Sequence, residues 1–198
     1  MRILNIKAIC WRIFNMKIQI ELASKKKAKP EATTLGFGKY FTDHMFILDY
    51  TEGKGWHDPR IVPYQPITLD PASKVFHYGQ TVFEGLKAYT TEDGHIVTFR
   101  PDLNASRMKD SCERLQMPVF PEDKFVEAVC KVVEANAAYV PPYGSGATLY
   151  IRPYMFGSNP VIGVKPADEY QFRIFTTPVG PYFKGGVKPL TLRVCDYD

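Results

Sequence analysis

Short strand-like segments separated by turn residues make up most of the chain from about residue 37 onward, and they restrict the fold more than any other feature. Runs of β-branched and aromatic residues bounded by Gly, Pro and Asp are typical of β-strands. The strands predicted in this way are residues 45–49, 67–69, 74–77, 86–90, 96–100, 148–154, 170–177 and 190–194. Between two of them, Glu92-Asp93-Gly94 predicts a hairpin, because an Asp-Gly pair suits the positive φ angles of a type I′ turn.

Two longer segments have the sequence pattern of helices. Residues 121–138 open with Pro-Glu-Asp, whose acidic side chains are favourable in a first helical turn. The apolar residues that repeat there at helical spacing are Phe125, Val129, Val132 and Val133. Residues 101–115 form the other predicted helix. The sequence therefore predicts an α+β fold, a mostly antiparallel sheet backed by two helices.

The distribution of charge argues against nucleic-acid binding as the main role. The net charge is +4, but residues 1–30 carry eight basic and one acidic side chain, whereas the rest of the chain carries 17 basic and 20 acidic ones. The body is thus mildly acidic and has no basic stripe for a phosphate backbone. The four cysteines have no metal-ligand spacing, so we predict no metal site and expect Cys112 and Cys130 to be buried free thiols in a reducing cytosol.

The first residues differ in character from the rest. Arg and Lys interrupt the apolar runs of residues 1–15, so no stretch approaches the roughly 20 apolar residues that span a bilayer. We interpret residues 1–15 as an extension outside the fold; an interfacial helix or a mitochondrial presequence is the alternative. A strand-like segment follows at residues 17–22, and Lys-rich residues 25–30 are predicted to be a solvated linker.

An arginine on the first predicted helix is a candidate anion ligand. The apolar half of that helix is predicted to comprise Leu103, Met108, Cys112 and Leu115. Arg107 lies at the edge of this half in the early turns, where its planar guanidinium and helix-terminal N–H groups can hold a phosphate. The alternative is a surface arginine paired with an acidic neighbour, Asp110 or Glu113.

A tyrosine and an arginine share one face of the strand at residues 148–154. Strand periodicity places Tyr150 and Arg152 together, and such a pair can bind a carboxylate through the arginine fork and the phenol hydroxyl. The alternative is a half-exposed strand whose polar face contacts water. Tyr182, in a turn stiffened by Pro and Gly, is a third candidate.

Five motifs together resemble the branched-chain amino acid aminotransferases, which are pyridoxal-phosphate enzymes. These motifs are FGKYFTDHM (37–45), HYGQTVFEGLKAY (77–89), FRPDLNASRM (99–108), LYIRPYMFG (149–157) and TPVGPYF (177–183). They occur in the family's order, and no match covers residues 1–15. The resemblance implies the smaller N-terminal domain of the D-amino-acid-transaminase-like fold, known as fold type IV.

The resemblance also implies roles for individual residues. Arg107 matches the arginine that holds the cofactor phosphate. Tyr150 and Arg152 match substrate-site residues, and the arginine is expected to help bind the side-chain carboxylate of the acidic co-substrate. The aromatic residues that match the lining of the substrate pocket are Phe37, Tyr78, Phe83 and Tyr182. Val164 matches a residue that reaches the pocket of the neighbouring subunit, so a homodimer is expected.

The family's Schiff-base lysine lies in a larger second domain, and no lysine of this chain matches it. That lysine is expected beyond Asp198, so we expect no catalytic residue among these residues and no activity from them alone. The expected organisation is an extension and Lys-rich linker at 1–36, an N-terminal α+β domain at 37–183, and a truncated start of the interdomain segment and second domain at 184–198.

The function implied is transamination of leucine, isoleucine and valine with 2-oxoglutarate, within a longer enzyme that binds pyridoxal 5'-phosphate. Its partners would be these amino acids, glutamate and their 2-oxo acids, with no nucleic acid and no membrane, in the cytoplasm rather than the mitochondrion. The alternatives are a related fold-type IV enzyme, such as a D-amino acid transaminase or an aminodeoxychorismate lyase, and a non-catalytic domain that acts in folding or dimerisation.

Overall fold

The computed structural model describes the backbone of residues 3–5 and, in full, residues 16–181 and 189–194. The strands are β1 (Ile3–Asn5), β2 (Gln19–Ile20), β3 (His44–Thr51), β4 (Gly55–Pro63), β5 (Thr81–Phe83), β6 (Leu86–Thr90), β7 (Ile96–Phe99), β8 (Thr148–Gly157) and β9 (Glu169–Val179). The α-helices are α1 (Lys74–Tyr78), α2 (Pro101–Arg114) and α3 (Glu122–Ala135), and 3-10 turns occur at Ala32–Thr34 and Ala137–Tyr139.

The described strands form one sheet in the order β1-β7-β6-β8-β9-β3-β4-β2, with β5 also paired to β8. Every pair is antiparallel except the short parallel contact between β2 and β4. The predicted α+β class with a mostly antiparallel sheet is confirmed. The two longer helices are the predicted ones, and the short α1 is an addition to them.

The main core lies between the sheet and the two longer helices. Phe125, Val129, Val132 and Val133 of α3 are all buried there, as their spacing predicted. From α2, the side chains that enter the core are Ala105, Met108 and Cys112. Leu103 and Leu115 were expected on this buried half but are exposed, because at about 100° per residue Leu103 lies nearly opposite Cys112, and Leu115 follows the last residue of the helix.

Three predicted strands are wrong. Residues 74–77 form helix α1, which ends at Gly79 in the left-handed conformation (φ 59°). A segment of four residues is too short to be assigned to strand or helix by periodicity alone. Residues 67–69 and 190–194 are in irregular structure. Conversely, the strands β4 and β5 were not predicted, because β4 contains Gly and Pro, and β5 is only three residues long.

The predicted hairpin between β6 and β7 is confirmed, but its turn type is not. Of the Asp93-Gly94 pair only Gly94 has a positive φ, 78°, whereas a type I′ turn needs two such residues. The Gly94 N–H donates to Thr91 O (2.9 Å) and the Thr91 N–H donates to His95 O (2.8 Å). The connection is thus a three-residue loop with glycine in its left-handed position.

Part of the N-terminal segment contacts the sheet. Residues 3–5, which were expected outside the fold, lie antiparallel to β7 with Ile3 opposite Phe99. Strand β2 is shorter than the predicted 17–22. The Lys-rich linker is also not purely solvated, because Lys27 Nζ donates to Thr42 O (3.0 Å) and lies 4.5 Å from the Tyr64 ring centroid.

Two further predictions can be compared with the described part of the chain. Cys112 is a buried free thiol and Cys130 is buried, as expected. Burial raises the pKa of the Cys112 thiol to about 12. None of the described helices is long and apolar enough to cross a membrane.

Candidate functional site

The sheet has a second face, here called the open face, which lies opposite α2 and α3. Strand β8 defines it by alternation: Leu149 and Ile151 are fully buried towards the helices, whereas Tyr150 and Arg152 are half-buried on the other side. The predicted common face of Tyr150 and Arg152 is therefore confirmed by the geometry.

The hydroxyl of Tyr150 accepts two hydrogen bonds from Arg152. The Nε and Nη2 atoms of Arg152 lie 3.2 Å and 2.8 Å from it. A phenol oxygen that accepts from an arginine keeps its own O–H as a donor. The guanidinium retains further N–H donors, since only two of its five are used on Tyr150. The pair can thus donate several hydrogen bonds to one anionic group.

Two aromatic rings complete this cluster. The guanidinium carbon of Arg152 lies 4.5 Å from the centroid of the Phe83 ring, within cation–π distance. The Phe37 ring meets the Tyr150 ring edge-on, with centroids 5.2 Å apart. Both phenylalanines are largely exposed. Four of the predicted substrate residues, Phe37, Phe83, Tyr150 and Arg152, therefore form one contiguous patch of rings around a cation.

Gly85, in the bend between β5 and β6, is required by the position of Tyr150. A Cβ atom added at Gly85 would overlap the Tyr150 hydroxyl. Its φ angle is not in the left-handed region, so any residue could adopt the backbone, and only the space forbids a side chain. The glycine of the FEGL motif thus permits the approach of a site residue.

Arg107 makes a two-point ion pair with Glu84, the residue before this glycine. Arg107 Nε lies 2.7 Å from Glu84 Oε1, and Nη2 lies 2.7 Å from Oε2. The Glu84 side chain is 3% exposed and that of Arg107 is 67% exposed. The hydrogen bonds that Arg107 donates to Glu84 raise the pKa of Arg107 further above its already high ordinary value. The suggested alternative pairing with Asp110 or Glu113 is not what the structure shows.

Asn104 is a second partner of Glu84 that sequence reasoning missed. Its Nδ2 atom donates to Glu84 Oε2 (2.8 Å) and to Gly85 O (3.3 Å). Asn104 and Arg107 are three residues apart in α2 and therefore project from one side of the helix. In the sequence, Glu84 could have been singled out as the lone acidic residue among the aromatic residues of HYGQTVFEGLKAY. Its partner, however, lies 23 positions away.

Tyr78 and Val164 lie near each other but apart from the ring cluster. The ammonium of the fully buried Lys74 donates to Gly163 O (2.6 Å) and lies 5.5 Å from the Tyr78 ring centroid. Val164, the next residue of that loop, is 94% exposed. No hydrogen bond or ring contact between described residues joins Tyr78 or Val164 to Arg152.

Several predictions depend on two positions towards the end of the chain that lie outside the described residues. Tyr182, expected to line the substrate pocket, is one of them. Asp198, beyond which the Schiff-base lysine is expected, is the other. The pocket role of Tyr182, the location of that lysine and the domain boundary after residue 183 therefore stay predictions.

The loop that carries Phe37 is held against the end of β9. The Gly180 N–H donates to Gly36 O (3.4 Å), and a Cβ at Gly180 would lie 2.7 Å from Leu35 O. Glycine is needed at Gly180 for this backbone contact. The contact fixes the position from which Phe37 reaches Tyr150.

The site can therefore bind anionic groups at two positions. Arg107 presents the edge of its guanidinium that Glu84 does not use, and Arg152 presents its free N–H donors together with the Tyr150 hydroxyl. Guanidinium forks suit phosphate and carboxylate oxygens. The exposed rings Phe37 and Phe83 lie beside the second position and offer apolar contact.

Known proteins with similar sequences agree with the resemblance. No family model matches the chain. The chain is 50% identical over 183 residues to branched-chain-amino-acid transaminase 1 of Bacillus subtilis (strain 168), a match that covers 92% of this chain and 51% of that protein. It is 47% identical over 177 residues to branched-chain-amino-acid aminotransferase 2 of the same organism, a match that covers 89% of this chain and 48% of that protein.

A solved structure shares the fold. The T.th. branched-chain amino acid aminotransferase, solved with pyridoxamine 5'-phosphate, is 25% identical and matches with a TM-score of 0.51 over 71% of this chain and 42% of that one. The chain thus spans about half the length of the curated relatives it matches. The chain is a homologue of the branched-chain-amino-acid aminotransferases over about half of their length.

Proposed function

We propose that this chain supplies the cofactor-phosphate and substrate-carboxylate contacts of a pyridoxal-phosphate transaminase. Its substrates would be leucine, isoleucine and valine, with 2-oxoglutarate as the acceptor. The observation that carries the proposal is the Tyr150–Arg152 pair on the open face, flanked by Phe37 and Phe83. The names of the relatives support the branched-chain substrates.

The residues near the β5–β6 bend fit the phosphate of the cofactor. Arg107 is exposed, and Glu84 occupies only two of its five N–H donors, so three remain for phosphate oxygens. A related protein has been solved with pyridoxamine 5'-phosphate, which carries the same phosphate group. When bound, the cofactor would supply an electron-withdrawing ring that stabilises the negative charge left by removal of the substrate's α-proton.

The ring cluster would bind two kinds of substrate in turn. An aliphatic side chain would lie against the exposed rings of Phe37 and Phe83 and be removed from water there. The side-chain carboxylate of glutamate would instead accept hydrogen bonds from Arg152 and from the Tyr150 hydroxyl. Because Tyr150 and Arg152 already contact each other, they present these donors in a fixed arrangement before the substrate arrives.

We further propose that proton transfer needs a lysine outside these 198 residues and that a domain boundary follows residue 183. Among the described lysines, Lys74 is fully buried and its ammonium is bound to Gly163 O, which leaves it without access to a substrate. The exposed Val164 supports a homodimer in which this loop reaches the partner's pocket. The purified 198-residue chain should accordingly show no turnover of leucine with 2-oxoglutarate, and measurable turnover would contradict this part of the proposal.

A substrate panel on a version extended to the length of the relatives tests the function itself. Leucine, isoleucine, valine and glutamate should react with the enzyme-bound cofactor, and D-alanine should not. Reaction with D-alanine alone would identify a D-amino acid transaminase instead. Release of pyruvate from aminodeoxychorismate would identify the lyase. Absence of any cofactor spectrum would favour a non-catalytic domain.

A further inference from the structure

Glu84 combines strong burial with contacts that are directed almost entirely at α2. Its carboxylate is 3% exposed and accepts from Arg107 Nε, Arg107 Nη2 and Asn104 Nδ2. Its own backbone N–H donates to Pro153 O (2.8 Å) on β8. A buried carboxylate is costly unless its oxygens are satisfied, and here two residues of one helix satisfy them together with the Gly85 N–H, which donates to Glu84 Oε2 (3.3 Å).

The geometry of the fork determines which part of Arg107 stays free. Glu84 uses Nε and one N–H of Nη2, which lie on one edge of the guanidinium. The remaining donors, on Nη1 and the outer side of Nη2, point away from Glu84. Since the side chain is otherwise exposed, it would sample many rotamers without this contact.

We propose that Glu84 is a positioning residue, which holds Arg107 so that the free edge of its guanidinium meets a phosphate. The inference rests on the proposed role of Arg107 as the phosphate ligand. Asn104 assists by holding the second carboxylate oxygen and the Gly85 carbonyl, so that α2 and the β5–β6 bend keep one relative position.

Simple electrostatics leads to the opposite expectation, so the sign of the effect tests the proposal. Glu84 carries a negative charge 2.7 Å from the arginine and repels an incoming phosphate. If charge alone mattered, Glu84→Gln would increase phosphate affinity. If positioning dominates, the same substitution lowers affinity, because the amide NH2 group of glutamine faces the guanidinium and the two-point contact is lost.

The test uses the 198-residue chain and inorganic phosphate, with the NMR signal of the Arg107 Nε–H as the readout. This signal is assigned from its loss in Arg107→Lys, and backbone spectra establish that each variant is folded. In Glu84→Gln we expect the Nε–H to exchange faster with water and the phosphate affinity to fall about tenfold, as for one weakened charge-assisted contact. Asp102→Asn is the charge-matched control, since Asp102 pairs with Arg100 at the start of the same helix.

The outcomes separate this inference from the proposed function. Equal or higher phosphate affinity in Glu84→Gln, with a fall in Arg107→Ala, overturns the positioning role alone. A wild-type Arg107 signal that millimolar phosphate does not shift overturns both proposals. If Glu84→Gln does not fold, Asn104→Ala decides, because it loosens Glu84 without changing any charge. A fall of about threefold supports the proposal, and unchanged affinity overturns it.

Discussion

Replacing Arg152 with alanine should separate the two substrates of the proposed reaction. Arg152 contacts Tyr150 and Phe83, and only an acidic substrate adds a second carboxylate that needs its charge. A hydrogen bond to a charged group contributes about 1.5–3 kcal/mol, and about 1.4 kcal/mol corresponds to a factor of ten. The glutamate half-reaction should therefore lose about 10- to 100-fold in kcat/KM.

The leucine half-reaction should lose much less from the same substitution. For leucine, the substitution removes only indirect contributions: the two hydrogen bonds that Arg152 donates to the Tyr150 hydroxyl and its cation–π contact with the Phe83 ring. An exposed cation–π contact contributes about 0.5–1 kcal/mol, so a loss of about two- to fivefold is expected. Cofactor affinity should be nearly unchanged, because the proposed phosphate ligand is Arg107.

Stopped-flow absorbance of the bound cofactor, in a version extended to the length of the relatives, measures each half-reaction separately. Arg152→Lys is an informative second variant, because it keeps the charge but not the two-point fork. Its kcat/KM for the glutamate half-reaction should lie between those of wild type and Arg152→Ala. Arg114→Ala, which removes an arginine from the far end of α2, is the control for general charge effects. Equal slowing of leucine and glutamate by Arg152→Ala would refute the assignment of Arg152 to the second carboxylate.

Three further predictions concern the phosphate site, the bend and the N-terminus. In that extended version, Arg107→Ala should weaken cofactor binding about ten- to a hundredfold and slow both half-reactions alike, with rescue by excess cofactor; a defect that excess cofactor does not rescue would argue against a phosphate contact. Gly85→Ala should displace Tyr150 and slow the glutamate half-reaction, whereas the melting temperature should change little. A crystal structure of this variant with Tyr150 in its original position would contradict this. Deleting residues 1–15 removes the three-residue edge strand β1 and should lower the melting temperature by less than about 2 °C; a loss of about 4 °C or more, which corresponds to about 1 kcal/mol or more for a domain of this size, would show that this segment contributes substantially to the stability of the domain.

The sequence was sufficient to predict elements and site residues where the local pattern agrees with the tertiary structure. Helix α3 buries the face that its apolar spacing predicted, and β8 places Tyr150 and Arg152 together as strand alternation requires. Both elements are long and strongly periodic, so their patterns are not ambiguous. The family resemblance added the aromatic residues expected to line the substrate pocket, and two of them, Phe37 and Phe83, contact the Tyr150–Arg152 pair.

The sequence was insufficient where a contact joins distant positions or a segment is short. Helix α1 has too few residues for periodicity to identify it. The pairing of Glu84 with Arg107 depends on how α2 docks on the sheet, and nothing local to either residue indicates it. Acidic residues closer in sequence to Arg107 offered simpler partners. The close approach of Tyr150 to Gly85 is likewise visible only after β6 and β8 are paired.

The bend between β5 and β6 connects the two arginines through neighbouring residues. Glu84 contacts Arg107, and Gly85, one peptide unit later, contacts Tyr150 and through it Arg152. Successive Cα atoms are about 3.8 Å apart, so the residue that holds Arg107 and the residue that Tyr150 approaches cannot move independently of each other. A substitution that displaces this bend should therefore disturb the surroundings of both arginines at once.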